Sequence, residues 1–556
     1  MNRAKLLLIN RLAFGFLVAA ATLAAGLCAS AQDVEHLSIA LPGGMPGLPV
    51  MTGIAAVSNG VKVAWDGPPG YYQLYETRSL HHPDWVAVGG DTNLVRTATV
   101  TGRTNNAFFR VSSPAPMYTG SQSCAECHEP ILTNETHTRH AAAFTNALFV
   151  ADGGQTNRSC EACHAVGFDL PTGFVNNIST PHLAGVQCEN CHGPAANHAA
   201  NPDDPAVRPR AEVAATVCGG CHTDARHPTF DEWSTSGHAQ VVEDMNATNR
   251  INSCGRCHSG SARLSLLETN ALPTGDANIG VVCITCHDPH QTNAYPAQLR
   301  NPVASTNDYF MSTNGTFLSQ YNAKINVCAQ CHNHAGASWT NNACEPHHSL
   351  QYNMLLGTIG EGFPALPAYQ PGSHALLITN QCVGCHMQTT AFVSEAQPAV
   401  TGHSFAVETY DICLTCHVSV EPIDSLVTFV TGTVSNEIQQ VVFDLDYWAT
   451  NKAPASLMAK YGTNAWEYTT PGSLSSGTNG GPGPDATEQT NIPVNIRKAR
   501  FNLYVVQNDG SFGIHNPEYV AELVSQAEAF IREELDPKSA RKKARPEAAG
   551  GRRQGW

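Results

Sequence analysis

The chain has 556 residues, of which 42% are hydrophobic and 14% are charged, a balance that excludes a fibrous or wholly disordered protein. Its 31 Lys and Arg against 46 Asp and Glu give a formal net charge of −15, so nothing general in the electrostatics favours a nucleic-acid partner. The unusual numbers are 20 Cys and 25 His beside only 7% aromatic residues, and these residues have to be explained first.

Residues 1–31 predict an export signal. Basic residues open the segment, a 16-residue apolar run extends from Leu12 to Leu27, and Ala29-Ser30-Ala31 forms an A-x-A cleavage site. Cleavage before Gln32 is favoured over lipidation of Cys28, because Leu27 is large where a small residue normally precedes a lipidated Cys. No later stretch is long and apolar enough to cross a bilayer. The sequence thus predicts a periplasmic or extracellular protein with no membrane span after signal removal.

Residues 32–115 predict a small β-sandwich. Short alternating segments such as Val61–Trp65 and Ala107–Val111 are separated by Gly, Pro and Asn clusters, and the segment contains no Cys. Its strand count and the early Trp65 resemble a fibronectin type III module, which implies a spacer or adhesion role.

Residues 116–420 carry the sequence C-x-x-C-H nine times. The motif residues are Cys124, Cys127 and His128; Cys160, Cys163 and His164; Cys188, Cys191 and His192; Cys218, Cys221 and His222; Cys254, Cys257 and His258; Cys283, Cys286 and His287; Cys328, Cys331 and His332; Cys382, Cys385 and His386; and Cys413, Cys416 and His417. C-x-x-C-H is the attachment signature of c-type haem, in which both thiols bond the porphyrin and the imidazole binds the iron. We therefore predict nine covalently bound haems.

Zinc sites and disulfides are the competing interpretations of these cysteines. Neither requires a His directly after each second Cys, yet all nine motifs have one. Cys344 lies outside the motifs and no His follows it at the required offset, so it is predicted to be a buried spectator. The motifs recur about every 36 residues, which is too short for each segment to bury a core of its own. The predicted fold class is therefore a mostly α and irregular cytochrome domain organised around stacked haems.

Residues 421–536 predict a C-terminal extension. A helix over Ile492–Val506, a turn, and a second helix that starts at Asn516-Pro517-Glu518 form a helical hairpin packing on the haem domain. The turn presents His515 just before the second helix. Residues 537–556 are basic and predict a disordered tail.

A second axial His closes an iron face for electron transfer, whereas an open face allows substrate chemistry. From residue 116 onward, the His residues outside the motifs are His137, His140, His182, His198, His227, His238, His290, His334, His347, His348, His374, His403 and His515. His290 follows His287 too closely to reach the opposite face of the same iron, so it is expected to bind a neighbouring haem. His137, His227 and His334 are interpreted as ordinary polar residues.

The region from Gly120 to Glu534 resembles a known superfamily of multihaem cytochromes. The matching segments are Gly120–His128, Thr138-Arg-His140-Ala, Cys188–Pro194 with His198, Trp233–Ala239, Cys283–His290, Pro346–Ser349, Cys382–Met387 and Gly402–Phe405. The superfamily contains the tetrahaem cytochrome of nitrifying bacteria, hydroxylamine oxidoreductase and the ammonia-forming nitrite reductases. By this likeness the favoured distal ligands are His140, His198, His238, His290, His347, His348, His374, His403 and His515, with His137, His182, His227 or His334 as alternatives.

Two functions remain open. The supply of His favours an electron-transfer protein that passes single electrons along bis-His haems to redox partner proteins, with no catalytic residues. The alternative is an oxidoreductase acting on hydroxylamine, nitrite or a sulfur oxyanion at one open haem. The sequence has no C-x-x-C-K motif, which the nitrite reductases commonly use, and its only Lys between Cys124 and His417 is Lys324. The β-module is the single hint of a surface or filament assembly.

Overall fold

The computed structural model describes most of the chain after residue 117. It describes residues 118–536 apart from 171, 242–244, 274–276, 292–295, 301–326, 368, 379, 419–421 and 478–480, and before them only seven strands and residue 88. The basic tail, Lys324 and all of the export signal except residues 19–21 therefore lie outside the described residues.

The N-terminal part contains two antiparallel sheets. The strands are β1 (Ala19–Ala21), β2 (Val50–Val57), β3 (Gly60–Asp66), β4 (Gln73–Thr77), β5 (Val86–Ala87), β6 (Thr97–Thr101) and β7 (Ala107–Ser112). One sheet has the order β1-β7-β4-β5 and the other β2-β3-β6. Strand β1 falls inside the predicted export signal.

Alternation along the strands buries one face of each sheet. Val63 and Trp65 of β3 join Leu74 of β4 and Phe109 of β7 in one apolar cluster. Because strand side chains point alternately to opposite faces, every second residue of β3 reaches this cluster. The small antiparallel sheet region is therefore present, and its fibronectin-like character stays a prediction.

The rest of the described chain consists of helices and irregular segments. The helices are α1 (Ala125–Glu135), α2 (Ala147–Ala151), α3 (Arg158–His164), α4 (Cys188–His192), α5 (Ala196–Ala200), α6 (Thr216–Gly219), α7 (Thr229–Thr235), α8 (Thr248–Ser253), α9 (Gly255–His258), α10 (Gly260–Thr269), α11 (Cys283–Cys286), α12 (Gln351–Leu356), α13 (Ser373–Leu377), α14 (Gln381–His386), α15 (Ile423–Asn451), α16 (Ala455–Tyr461), α17 (Val494–Asp509) and α18 (Pro517–Leu535). Those before α15 are short, whereas α15, α17 and α18 have 29, 16 and 19 residues. None of the described helices is long and apolar enough to cross a membrane.

The described chain divides into two compact units. One comprises Met1–Gln298 with Ala391–His403, and the other comprises Leu299–Thr390 with Ser404–Trp556. The second unit contains a large apolar cluster built mainly from α15, α17 and α18, with Leu445, Tyr504 and Leu523 fully buried.

The predicted helical hairpin is present as α17 and α18. The Asn516 side chain accepts a hydrogen bond from the Tyr519 amide at 3.3 Å, and Pro517 occupies the first turn of α18, as expected for a capped helix start. The buried residues of α18 include Val520, Leu523 and Ala527, which share one helix face.

Truncation of a buried and of an exposed side chain of α15 should lower the free energy of unfolding by different amounts. Leu445 is 0% exposed and Phe443, two residues away, is 64% exposed. Leu445→Ala should lower the free energy of unfolding by about 2–5 kcal/mol, while Phe443→Ala should change it by about 0.5 kcal/mol or less. Denaturant titration followed by circular dichroism measures both. Equal losses would contradict the placement of Leu445 in the core.

Candidate haem sites

Each described motif turns its two thiols and its imidazole to one side of a helical turn. In an α-helix, residues three and four apart lie on the same face. The amide of the motif His donates to the carbonyl of the first Cys in five of the motifs: His222 to Cys218 at 2.9 Å, His258 to Cys254 at 3.0 Å, His287 to Cys283 at 3.0 Å, His332 to Cys328 at 2.9 Å and His417 to Cys413 at 2.8 Å. The motif thus forms one compact turn, and its Cys residues are free thiols in the structure.

Six motif His residues face a second His ring at a nearly constant separation. The ring centres are 6.0 Å apart for His222 and His140, 6.3 Å for His164 and His227, 5.9 Å for His192 and His290, 6.3 Å for His287 and His403, 6.5 Å for His417 and His374, and 6.3 Å for His386 and His515. An imidazole nitrogen binds a first-row metal at about 2 Å, which puts two ring centres on opposite sides of one ion about 6 Å apart. Every pair therefore has the spacing of two axial ligands of a single iron.

Hydrogen bonds at Nδ1 orient several of these rings. Backbone carbonyls lie opposite Nδ1 of His192 (Arg210, 2.6 Å), His287 (Ala297, 2.7 Å), His386 (Phe405, 3.0 Å) and His374 (Ile514, 2.6 Å). A metal-binding His usually donates its other N–H to such an acceptor, which fixes the tautomer and leaves Nε2 for the metal. These rings are therefore oriented as ligands by their own backbone surroundings.

Burial favours the neutral form of several of these rings. It lowers the pKa of His222 to about 4, with a further contribution from His140. Burial also lowers the pKa of His164, His386 and His403. The neutral imidazole is the form that binds a metal, so these side chains are ready to bind at neutral pH.

His515 departs from this pattern. Burial alone would lower its pKa, but the charge of Asp509 and a hydrogen bond from Nδ1 to its carboxylate outweigh burial and raise the pKa. Among the rings of the six pairs, His515 is the one for which the structure describes a hydrogen bond to a carboxylate.

Comparisons with known proteins agree with this geometry. The profile of the family described as cytochrome c554 and c-prime matches residues 123–193, which contain three of the nine motifs. Cytochrome c-554 of Nitrosomonas europaea is 29% identical over 100 residues, covering 16% of this chain and 42% of that protein. The multiheme cytochrome MtrA of Shewanella baltica is 26% identical over 155 residues, covering 24% of this chain and 45% of that protein.

The protein is a multihaem c-type cytochrome. It spans less than half the length of these two relatives. Among solved structures, the outer cell wall cytochrome OcwA is similar with a TM-score of 0.48 and 18% identity, covering 74% of this chain and 99% of that one.

A buried arginine supplies a second feature that fits covalent haem in this cytochrome. Arg263 lies on α10, five residues after the motif residue His258, and is 4% exposed. Its Nη2 is buried and has no hydrogen-bond partner among the described residues. A buried guanidinium without an anion is costly, and haem carries carboxylate groups that a guanidinium binds well. The residues present therefore fit the group that the family carries.

Thiols of different motifs lie next to one another in the cytochrome. The neighbouring thiols are those of Cys124 and Cys188, Cys163 and Cys221, Cys218 and Cys283, and Cys328 and Cys382. The first motif thus adjoins the third, the second adjoins the fourth, the fourth adjoins the sixth, and the seventh adjoins the eighth. With haem attached at these thiols, each contact would bring the attachment edges of two haems together.

For the other predicted ligands the structure describes different contacts, and their ligation of haem stays a prediction. His198 has a buried Nδ1 without a hydrogen-bond partner and faces no other His ring among the described residues. The rings of His347 and His348 are stacked 4.2 Å apart, which is too close for two ligands on opposite sides of one iron. His238 lies in a short turn, and its carbonyl accepts from the Val281 amide at 2.8 Å.

His227 was interpreted from the sequence as an ordinary polar residue, but the structure pairs its ring with the ring of a motif His. Its ring lies opposite His164, although it is 63 positions further along the chain and has no local motif around it. Sequence offered no signal for it, because a distal His is selected by proximity in space. His137, in contrast, is exposed, and its Nδ1 lies 2.7 Å from the Thr133 carbonyl of the preceding helix α1, as in an ordinary polar residue.

The prediction that Cys344 is a buried spectator is wrong, because the structure exposes it. The segment around it is held by backbone groups instead of by burial of the thiol. The Ala343 carbonyl accepts from the Thr470 amide at 2.9 Å, and the Glu345 carboxylate accepts from the Ser473 amide at 3.3 Å. These contacts fix the backbone and leave the thiol in solvent.

Proposed function

We propose that the protein is an exported nonahaem cytochrome that carries single electrons along a chain of haems to redox partner proteins. Six of the haems would lie between the His pairs described above, with His227 added to the predicted distal ligands. The two imidazoles of each pair would hold the iron from both sides, which favours electron transfer over binding of a substrate. The observation that carries the proposal is the repeated ring separation near 6 Å, which recurs in both compact units.

The thiol contacts between motifs support a conducting chain. Electron transfer slows as the distance between porphyrin edges increases, so haems attached at adjoining thiols would exchange electrons fast. Contacts such as Cys163 with Cys221 and Cys218 with Cys283 join the second, fourth and sixth motifs in one series. A series of neighbouring haems of this kind would serve transport between partners and needs no substrate site.

The alternative is an oxidoreductase that acts on hydroxylamine, nitrite or a sulfur oxyanion at one open haem. The motif residue His128 is exposed and has no ring partner within the described part of the chain. Its haem is therefore where an open iron face would be sought first.

The proposal also includes export of the protein, its redox partner proteins and any surface assembly.

A haem count with two cysteine variants tests the proposal. Intact mass and the pyridine haemochrome spectrum of the mature protein should give nine haems per chain. The double variant Cys413→Ala/Cys416→Ala should give eight, because it removes one attachment turn. Cys344→Ala is the matched control and should keep nine, since that thiol is exposed and belongs to no motif.

The spin state separates electron transfer from catalysis. Electron paramagnetic resonance of the oxidised protein should show low-spin ferric haem only, and reduced viologen with nitrite or hydroxylamine should give no turnover. A high-spin signal together with turnover would replace the electron-transfer proposal with the oxidoreductase.

A further inference from the structure

The side chain opposite His515 Nδ1 is a buried carboxylate. Asp509 ends α17, His515 precedes α18, and the distance from His515 Nδ1 to Asp509 Oδ1 is 2.7 Å. The Asp509 side chain is 1% exposed. Both residues flank a turn between two helices of the large apolar cluster, so the packing of these helices holds the carboxylate against the ring.

A closed set of hydrogen bonds fixes the orientation of Asp509. The Ser511 hydroxyl donates to the second carboxylate oxygen, and the Ser511 Oγ accepts from the His515 amide at 3.1 Å. The Asp509 carbonyl accepts from Gln351 Nε2 at 3.3 Å. The carboxylate therefore has one arrangement, with Oδ1 directed at the imidazole.

Neighbouring rings of the same compact unit have neutral acceptors. His386 and His374 face backbone carbonyls, and His332 Nδ1 lies 3.1 Å from the Gln351 amide oxygen. A carboxylate is a much stronger acceptor than a carbonyl, above all away from water. A ligand imidazole that donates to a carboxylate becomes more basic and binds the metal more strongly.

We propose that Asp509 is a positioning residue that lowers the reduction potential of the haem held by His386 and His515 below those of its neighbours. The inference rests on the proposed ligation of one haem by these two residues. A more basic axial ligand stabilises the ferric state, which is one of the means by which a protein sets a haem potential. This haem then stays oxidised while the haems beside it are reduced, and it forms a low-potential step in the chain.

Spectroelectrochemical titration of the mature holoprotein tests the proposal. Asp509→Asn keeps the size of the side chain and removes its charge, so one component of the titration should shift to higher potential while the other components stay in place. The low-spin resonance of that haem should change in the same variant. Asp424→Asn, which removes an exposed charge near the start of α15, is the control and should leave every component in place.

A second variant keeps the test decisive if Asp509→Asn loses haem or fails to fold. Ser511→Ala retains the carboxylate but removes the hydroxyl that donates to its second oxygen, so the carboxylate becomes a stronger acceptor for His515 and the same component should shift to lower potential. Unchanged potentials in each folded variant, with low-spin haem and full haem content, would refute the role of Asp509. They would leave the ligation of this haem by His386 and His515 in place. A high-spin haem at this position in the unsubstituted protein would instead refute the ligation by His386 and His515.

Discussion

Protein produced without haem attachment is expected to lose its structure between residues 118 and 417 while α15, α17 and α18 keep theirs. The helices of the motif region have four to eleven residues, and isolated helices of this length are marginal in water. Its described apolar clusters are small, such as the one around Phe144, Phe174 and Leu183. Cofactor binding supplies the missing stability, so its loss is a loss of folding free energy.

Limited proteolysis with mass spectrometry compares the two regions within one chain. In the haem-free protein, cleavage sites should spread over the motif region, and the segments around Leu445, Tyr504 and Leu523 should stay protected because side chains alone build their core. The holoprotein prepared with its haems is the control and should resist cleavage in both regions. A haem-free protein with native circular dichroism and full protection of the motif region would contradict the idea that haem forms its interior.

Removal of His227 should open one haem to added ligands. Its ring lies 6.3 Å from that of His164, and its side chain is 49% exposed, so solvent and small ligands can reach the vacated side. His227→Gly should convert one haem from low-spin to high-spin and allow rapid cyanide binding. Added imidazole should restore the low-spin spectrum, because it replaces the missing ligand.

His137 offers a matched control for this substitution. It is also an exposed His outside the motifs, but its Nδ1 is bound to the Thr133 carbonyl and its ring faces no other His among the residues described. His137→Ala should leave the spin state and the cyanide binding of all haems unchanged. If His227→Gly behaves in the same way, the pairing of His227 with His164 has no role in ligation.

The sequence by itself determined those structural features that depend on residues within one helical turn or one helix. The spacing of Cys218, Cys221 and His222 fixes a common face for thiols and imidazole wherever the turn forms. The capping residue Asn516 and the apolar spacing of α18 likewise predicted that helix, since both depend on neighbours within four residues. Family likeness extended the prediction to His140, His290, His374, His403 and His515, whose rings the structure pairs with motif rings.

The long helix α15 was not anticipated, because its Thr, Gly and Asn residues interrupt the apolar pattern along Ile423–Asn451. Only packing against the helical hairpin reveals that residues such as Leu445 share a buried face. The exposure of Cys344 was likewise decided by backbone contacts with residues more than 120 positions away.

Tertiary structure alone decided which imidazoles meet. His287 and His403 are 116 positions apart and His192 and His290 are 98 apart, yet their ring centres lie 6.3 and 5.9 Å from each other. No local spacing encodes such contacts, because they result from the way distant segments pack around a shared group. The sequence by itself therefore predicted where haem is attached, and the fold specified which His faces the motif His in six of the nine motifs and, at Asp509, which acceptor lies against His515.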